Sequence, residues 1–143
     1  MAKVNERILK LRNKALANPN HQGRVFIGKV TKDVGAKIKA KCGRNVTGFE
    51  MYIDSNYIRH IKNKRPHWLK DIDKYVLDII FNAEDFQDGN RDDCQRIVFI
   101  RKTDVEYWAV QHIEEKSLLT VTTYIKEWKK KPKKNTRGLT PKN

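Results

Sequence analysis

Residues 96–125, RIVFIRKTDVEYWAVQHIEEKSLLTVTTYI, contain three short runs that are rich in β-branched and aromatic residues. The runs are 96–102, 106–113 and 117–125, and only three residues separate each run from the next. This composition is typical of strands, and links this short join antiparallel neighbours. The sequence therefore predicts that the folded part of the chain ends in a three-strand antiparallel meander.

The segments before the meander are mostly helical in pattern. Apolar residues recur at helical spacing over 4–17, and the Asn-Pro-Asn sequence at 18–20 ends that helix. Further helices are predicted over 33–42, closed by Gly43; over 54–64, begun by Asp54 or Ser55 and stopped by Pro66; and over 71–80. Two more strands, 24–30 and 46–53, and an acidic, turn-rich connection over 82–95 complete the predicted elements.

This order predicts an α+β fold, with N-terminal helices packed on an antiparallel sheet that ends in the three-strand meander. We divide the chain into a basic N-terminal helix over 1–23, an α+β domain over 24–128 and a disordered basic tail over 129–143. The first helix either lies on the core or extends outward as a basic arm. Neighbouring strand residues face opposite sides, and we expect Trp108 rather than Tyr107 in the core, because burying an indole stabilises more.

The basic charge lies at the two ends of the sequence. The net charge is +14, divided as +10 over residues 1–48, −3 over 49–125 and +7 over 126–143. Basic flanks suit contact with nucleic-acid phosphates, although solubility, an acidic partner or a lipid surface would also account for them. No apolar stretch is long enough to span a membrane and no signal peptide is evident, so we expect a cytoplasmic protein without a membrane partner.

Several kinds of site are excluded by their missing motifs. The acidic residues Asp85, Asp88, Asp92 and Asp93 have the wrong spacing for a calcium-binding loop. The chain has no P-loop, dinucleotide fingerprint, HExxH motif or nucleophile elbow. The two cysteines, Cys42 and Cys94, form no metal-ligand pattern. We therefore expect neither a metal ion nor another cofactor.

Two groups of residues could carry chemistry on RNA. The first is a cluster within nine residues: Arg59, His60, Lys62, Lys64, Arg65 and His67. A histidine beside cations can move the proton of a ribose 2′-hydroxyl and stabilise the charged phosphorane, although phosphate binding or simple helix capping fits these residues as well. The second is the pair Thr122 and Tyr124, which share a face of the last strand and could hold a phosphate and a base.

Four stretches together resemble the phage-borne branch of the barnase–EndoU–colicin–RelE superfamily of nucleases. They are VFIGKVTKDVGAKIKAKCGRNVTGFEMYID at 25–54, SNYIRHIKNKRPHW at 55–68, LKDIDKYVLDIIFNAEDF at 69–86 and LLTVTTYIKEW at 118–128. The resemblance covers about residues 24–127 and rests on the order and spacing of these stretches.

The resemblance implies a metal-independent endoribonuclease that cleaves by 2′-hydroxyl transesterification. Such proteins are often toxins or phage effectors that act on RNA, frequently on tRNA, and a protein inhibitor or a host factor is a further partner to expect. By position, the implied catalytic residues are His60, Lys62, Lys64, Thr122 and Tyr124. The residues predicted to contact RNA are Arg59, Arg65, His67, Arg101, Lys102, Lys126, Lys129 and Lys130.

Two departures from the pattern of this branch keep a second interpretation open. The branch often has another histidine about five residues after the first, where this chain has Arg65, and His67 follows Pro66. Its Asn-Pro-Asp-like turn reads Asn-Ala-Glu-Asp at 82–85. The alternative is a non-catalytic, nuclease-like phage protein that binds RNA or blocks a host defence factor. An accessory protein that binds DNA through its basic flanks is a third interpretation.

Overall fold

The computed structural model describes residues 2–89 and 95–126. The helices are α1 (Ala2–Ala17), α2 (Lys32–Cys42), α3 (Ser55–Lys64) and α4 (Ile72–Phe81), and a 3₁₀ helix (Pro66–Asp71) lies between the last two. The strands are β1 (Arg24–Lys29), β2 (Glu50–Asp54), β3 (Asp85–Asp88), β4 (Arg96–Lys102), β5 (Glu106–Ile113) and β6 (Ser117–Lys126).

The six strands form one sheet in the order β1-β2-β6-β5-β4-β3. Strands β4, β5 and β6 are antiparallel neighbours, which confirms the predicted meander and the α+β class. One pair, β2 with β6, is parallel and involves only residues 50–52 and 117–119. The rest of β6 therefore has a strand neighbour on one side only, and this free edge shapes the candidate site.

The helices bury one face of the sheet. Ile8 and Leu11 of α1 are 0% and 4% exposed and belong to the same apolar cluster as Ile58 of α3 and Val76 of α4. Of the two arrangements that the sequence left open for α1, the structure has the one in which the helix lies on the core. Helix α2 follows β1 at one edge of the sheet yet packs against β3 at the other edge, so the sheet is curled.

The predicted helix ends are confirmed. Gly43 ends α2 in a left-handed conformation (φ 72°), and its N–H donates to the Lys39 carbonyl. The Asp54 carboxylate accepts a hydrogen bond of 3.0 Å from the Tyr57 N–H and so caps the start of α3. The Asp54 cap makes α3 begin directly after β2, and it therefore fixes the direction in which α3 leaves the sheet.

Two predicted segments are wrong in detail. The strand predicted over 46–53 is the shorter β2, because residues 46–49 form a turn in which Gly48 has a φ of 83°. The connection predicted over 82–95 contains β3, which pairs with β4 from Asp85 to Asp88. Acidic residues disfavour strands by propensity, and the ladder to a buried neighbouring strand outweighs that preference here.

The expectation that Trp108 lies in the main core is also wrong. Tyr107 packs against the main cluster beneath the helices, whereas Trp108 is half-buried on the other face. That face carries its own small cluster of Val98, Ile100 and Val110, with Trp108 and Tyr124 against it. Side chains alternate between the two faces along β5, so only one of Tyr107 and Trp108 can face the helices. The strand register places Tyr107 on the helix side.

Part of the predicted chain lies outside the described residues. This applies to the tail over 129–143 with Lys129 and Lys130, and to Asp92, Asp93 and Cys94, so those expectations stay predictions. Within residues 2–89 and 95–126, no helix is both long and apolar enough to cross a lipid bilayer.

Candidate active site

Helix α3 packs against β6. The Tyr57 hydroxyl of α3 and the Thr123 hydroxyl of β6 share a buried hydrogen bond of 2.8 Å. Burial raises the pKa of Tyr57, although the hydrogen bond with Thr123 and the Arg65 charge oppose the change, so the phenol stays protonated. This contact brings two elements that are distant in sequence to one place.

Two aromatic rings lie between two cations near the end of β6. The Arg65 guanidinium, directly after α3, lies 5.3 Å from the centre of the Tyr124 ring. The Tyr124 ring lies 5.8 Å from the Trp108 ring on β5, and the Lys126 ammonium lies 5.0 Å from the Trp108 ring centre. The Trp108 indole N–H donates to Glu106, which fixes the ring. Cation–π contacts of this kind stabilise modestly but orient both partners.

His60 lies in the middle of α3, three residues after Tyr57, and residues at that spacing are neighbours on a helix surface. The side chain is half-buried and makes no hydrogen bond or ion pair with any described residue. Burial, followed by the charges of Arg65 and Lys64, holds the pKa of His60 below its ordinary value of 6.5. At neutral pH the imidazole is therefore neutral and can accept a proton.

Thr122 and Tyr124 share the face of the sheet that the helices leave uncovered. Thr122 lies opposite Val110, and Tyr124 lies opposite Trp108. The register shifts after Val110, so Thr120 instead faces the core, where it donates to Gln111. The Thr122 hydroxyl is buried and has no hydrogen-bond partner among the described residues. It is thus a free polar group two positions from the Tyr124 ring.

The Tyr124 phenol is a proton donor rather than an anion at neutral pH. Burial raises its pKa, and the nearby Arg65 charge only partly opposes that change. A protonated hydroxyl can donate a hydrogen bond to a phosphate oxygen.

The remaining predicted residues are distributed over several places. Lys62, Lys64 and His67 are exposed near the end of α3, with the His67 ring edge-on to Trp68. Arg59 donates to Asn56 on the same helix. The residues Arg101 and Lys102 of β4 pair with Asp78 and Asp85, two strands from β6. The structure therefore brings Arg65 against Tyr124, with Trp108 and Lys126 beside it, and places His60 near the charges of Arg65 and Lys64. Among the described residues, no hydrogen bond or ring contact joins His60 to Thr122 or Tyr124. In the strand register Arg101 and Lys102 reach the same end of the sheet as Lys126, with their side chains paired to Asp78 and Asp85.

Sequence reasoning missed two residues of this region, Tyr57 and Trp108. Tyr57 was detectable, because it precedes His60 by one helical turn. Trp108 was not detectable by counting back from Tyr124 through the short link between the last two strands, because an unshifted count reaches Tyr107. The register shift between Val110 and Gln111 places Trp108 opposite Tyr124. Among the described residues, no group of three or more His, Cys, Asp and Glu side chains comes together that could hold a metal ion.

A curled sheet with helices on one face, and a basic helix end against its last strand, fits a nuclease of the barnase–EndoU–colicin–RelE type. The family described as phage-Barnase-EndoU-ColicinE5/D-RelE like nuclease 3 matches residues 28–134, about three quarters of the chain, and the chain belongs to it. No match was found among curated proteins or among solved structures. A nuclease family supports a nucleic-acid substrate, and helix α1 lies outside the matched range.

Proposed function

We propose that the protein is a metal-independent endoribonuclease that cleaves RNA by 2′-hydroxyl transesterification. In this proposal it serves a phage or mobile element as an effector or toxin, with tRNA as a candidate target. The observation that carries it is the meeting of α3 and β6, where a neutral histidine lies near a guanidinium that is stacked on a tyrosine. These are the group types that RNA cleavage without metal requires.

The proposed reaction begins with proton transfer from the ribose 2′-hydroxyl to His60. The 2′-oxygen then forms a bond to phosphorus and the bond from phosphorus to the 5′-oxygen breaks, which leaves a 2′,3′-cyclic phosphate. The leaving 5′-oxygen takes a proton from a neutral donor, for which the Tyr124 phenol is available because its raised pKa keeps it protonated. The Arg65 guanidinium offsets the charge that develops on the phosphorane oxygens.

The nearby cations supply substrate affinity. Lys62 and Lys64 are exposed and form no ion pair with a described residue, so they are free to contact phosphates. The Thr122 hydroxyl is unpartnered but buried, so it reaches RNA only if a local movement exposes it. In this proposal Lys62 and Lys64 position the RNA, and His60 carries the proton.

The alternative is a nuclease-like protein that binds RNA, or blocks a host defence factor, without cleavage. Arg65 favours it in two ways: it occupies the place of the branch's second histidine, and it covers the Tyr124 ring on which a base could stack. In this alternative, the protein binds RNA and does not cleave it.

The deciding experiment incubates the purified protein with total RNA, including tRNA, in EDTA. We expect discrete fragments that end in 2′,3′-cyclic phosphate. His60→Ala should lower the cleavage rate by about 10²–10⁴-fold, the usual share of a general acid or base. His67→Ala is the matched control, because His67 is exposed and points its ring edge at Trp68. Intact but shifted RNA would favour the binder, and cleavage that His67→Ala abolishes would move the assignment to His67.

A further inference from the structure

A basic cleft lies at the opposite end of α3 from the candidate active site. It consists of two cavities of about 380 and 240 Å³ that share Gly23 and Arg24 among their lining residues. The larger cavity lies against the first turn of α3, and the smaller one lies beside α1. The two therefore form a single cleft between α1, residues 21–25 and the start of α3.

The wall of this cleft is held in place by one buried serine. The Ser55 hydroxyl accepts a hydrogen bond of 3.0 Å from the Gly23 N–H and contacts His21 Nδ1 at 2.9 Å. The Ser55 N–H in turn donates to the Gly23 carbonyl at 3.1 Å. Because Ser55 is 2% exposed and begins α3, the segment around Gly23 is fixed to that helix. The cleft is thus preformed.

The charge on the α1 side of the cleft is uncompensated. Arg7, Lys10 and Lys14 line the smaller cavity, and Lys3 extends the same helical stripe by one turn. None of the four forms an ion pair or hydrogen bond with a residue in the described ranges 2–89 and 95–126. Arg24 is different, since Glu114 binds its guanidinium through two contacts of 3.0 and 3.1 Å.

The larger cavity contains a guanidinium that is already oriented. Arg59 donates from Nη2 to Asn56 at 2.9 Å, and its Nη1 is buried without a hydrogen-bond partner among the described residues. One carboxylate, Asp54, lines this cavity, and it is engaged by the N–H of Tyr57. The cleft as a whole therefore carries more cations than anions.

We propose that this cleft binds the phosphate backbone of the RNA substrate, a conclusion that rests on the proposed function for the identity of the ligand. The ten residues of α3 place Ser55, at the start of the helix and in the cleft wall, about 15 Å from Arg65 after the end of the helix. One RNA strand that runs along α3 would contact both regions. Because α1 lies outside the family-matched residues, the cleft would belong to this chain's own means of substrate selection.

The shape of the cleft favours a phosphate backbone over a lipid surface. Helices that bind lipid surfaces insert exposed apolar side chains between the head groups. In α1 the apolar residues Ile8, Leu11 and Ala15 are instead buried in the core. The basic stripe borders a concavity, which suits a chain of phosphates that enters it.

The test uses a fully 2′-O-methylated RNA oligonucleotide, which binds but cannot be cleaved. Its affinity for the full chain is measured by fluorescence anisotropy over a range of NaCl concentrations. The triple variant R7Q/K10Q/K14Q should lower the slope of log affinity against log salt by about 2, and lower affinity about 100-fold at 0.1 M salt. Glutamine preserves helix propensity, so the melting temperature should change little.

The matched control is K32Q/K37Q/K39Q, which removes the same charge from exposed positions of α2. The slope of log affinity against log salt should change by less than about 1 in this control variant. Three results would each overturn the proposal. They are equal losses of RNA affinity in the two triple variants, no loss of affinity in the cleft variant, and no binding of the probe by the unaltered protein. So would binding to vesicles of anionic lipid that the cleft variant loses while its RNA affinity persists. An inactive protein that still shows the cleft-specific loss would refute the enzyme and leave the cleft intact.

Discussion

Tyr57 and Thr123 are 66 residues apart in the chain and share a buried hydrogen bond of 2.8 Å. The bond joins α3, which carries His60, to β6, which carries Thr122 and Tyr124. Beyond residue 119, β6 has no strand neighbour on the β2 side. The Tyr57–Thr123 bond therefore helps to fix α3 relative to β6.

Removing one hydroxyl of this pair should destabilise the protein more than removing both. We expect Tyr57→Phe to lower the free energy of unfolding by about 1–3 kcal/mol, because the Thr123 hydroxyl is left buried without its partner. The double variant Y57F/T123V replaces both groups with apolar ones and should recover much of that loss. Urea unfolding of the single and double variants measures the difference. Additive losses would show that the two hydroxyls are not coupled in solution.

The His60 imidazole should titrate below pH 6.5. Burial and the charges of Arg65 and Lys64 disfavour its protonated form, so its pKa is lowered. NMR titration of the ring protons measures this value directly. Arg65→Gln should raise the pKa toward 6.5, and Arg65→Lys should not. An unchanged pKa in Arg65→Gln would show that the guanidinium does not act on His60.

The same lowered pKa has a consequence for stability. Above pH 6.5 the histidine is neutral in both the folded and the unfolded chain, so its contribution is constant. As the pH falls below that value the unfolded chain binds the proton first, and the free energy of unfolding decreases until the folded pKa is passed. His60→Asn removes this titrating group. We therefore expect its free energy of unfolding in urea to fall less between pH 7.5 and pH 5 than that of the unaltered protein.

Helix α1 should be required for folding. Leu11→Ala removes a side chain that is 4% exposed and should lower the free energy of unfolding by about 2–5 kcal/mol. Leu16→Ala, on the same helix but half-buried, is the matched control and should cost less. Deletion of residues 1–23 should leave a chain that does not fold cooperatively. A stable truncated domain would mean that α1 is an appendage.

The two tryptophans of the described region should differ in their importance for stability. Trp68 is 3% exposed and stacks on Tyr75 at 4.5 Å, so Trp68→Ala should cost about 3–5 kcal/mol. Trp108 is half-buried on the uncovered face, and Trp108→Ala should cost less than half as much. Chemical unfolding of the two variants measures the two losses of free energy and shows which is larger. The opposite order would place Trp108 in a packed core.

The sequence predicted the meander and the helix ends because local signals determine them. Gly43 and Asp54 are capping residues whose effect depends on their immediate neighbours. The pairing of β3 with β4 could not be predicted, since Asp85 and Asp88 disfavour strands and only the neighbouring strand explains them. The side of the sheet on which Trp108 lies depends on where the helices pack, which periodicity along one strand does not reveal.

For the candidate site, the sequence identified the relevant residue types but did not predict how the fold arranges them. His60 and Tyr124 were identified by their position in matching stretches, and the placement of α3 relative to the last strand depends on the parallel pairing of β2 with β6. Arg101 and Lys102 stay predicted RNA contacts, and nothing local in the sequence indicates that Asp78 and Asp85 bind them. Pairing across the fold is the information that a single sequence lacks.

The Arg65–Tyr124 contact discriminates between the enzyme and the binder. In the enzyme, the guanidinium offsets phosphorane charge, so Arg65→Gln should lower cleavage by about 10²-fold, as removal of one such donor does elsewhere. In the binder, the guanidinium covers a stacking surface 5.3 Å away, and Arg65→Gln should raise the affinity for single-stranded RNA. Cleavage in EDTA and anisotropy with a 2′-O-methylated RNA are measured on the same preparations.

A double-variant cycle separates these effects from simple loss of structure. Arg65→Gln, Tyr124→Leu and the two combined should show a coupling of about 0.5–1 kcal/mol in the free energy of unfolding, as expected for a cation over an aromatic ring at a partly exposed site. Tyr124→Phe retains the ring and removes the hydroxyl. It should preserve that coupling and slow cleavage, because the leaving oxygen then has no phenol to protonate it. Normal cleavage by Tyr124→Phe would remove the hydroxyl from the mechanism and leave the ring as a platform for Arg65 alone.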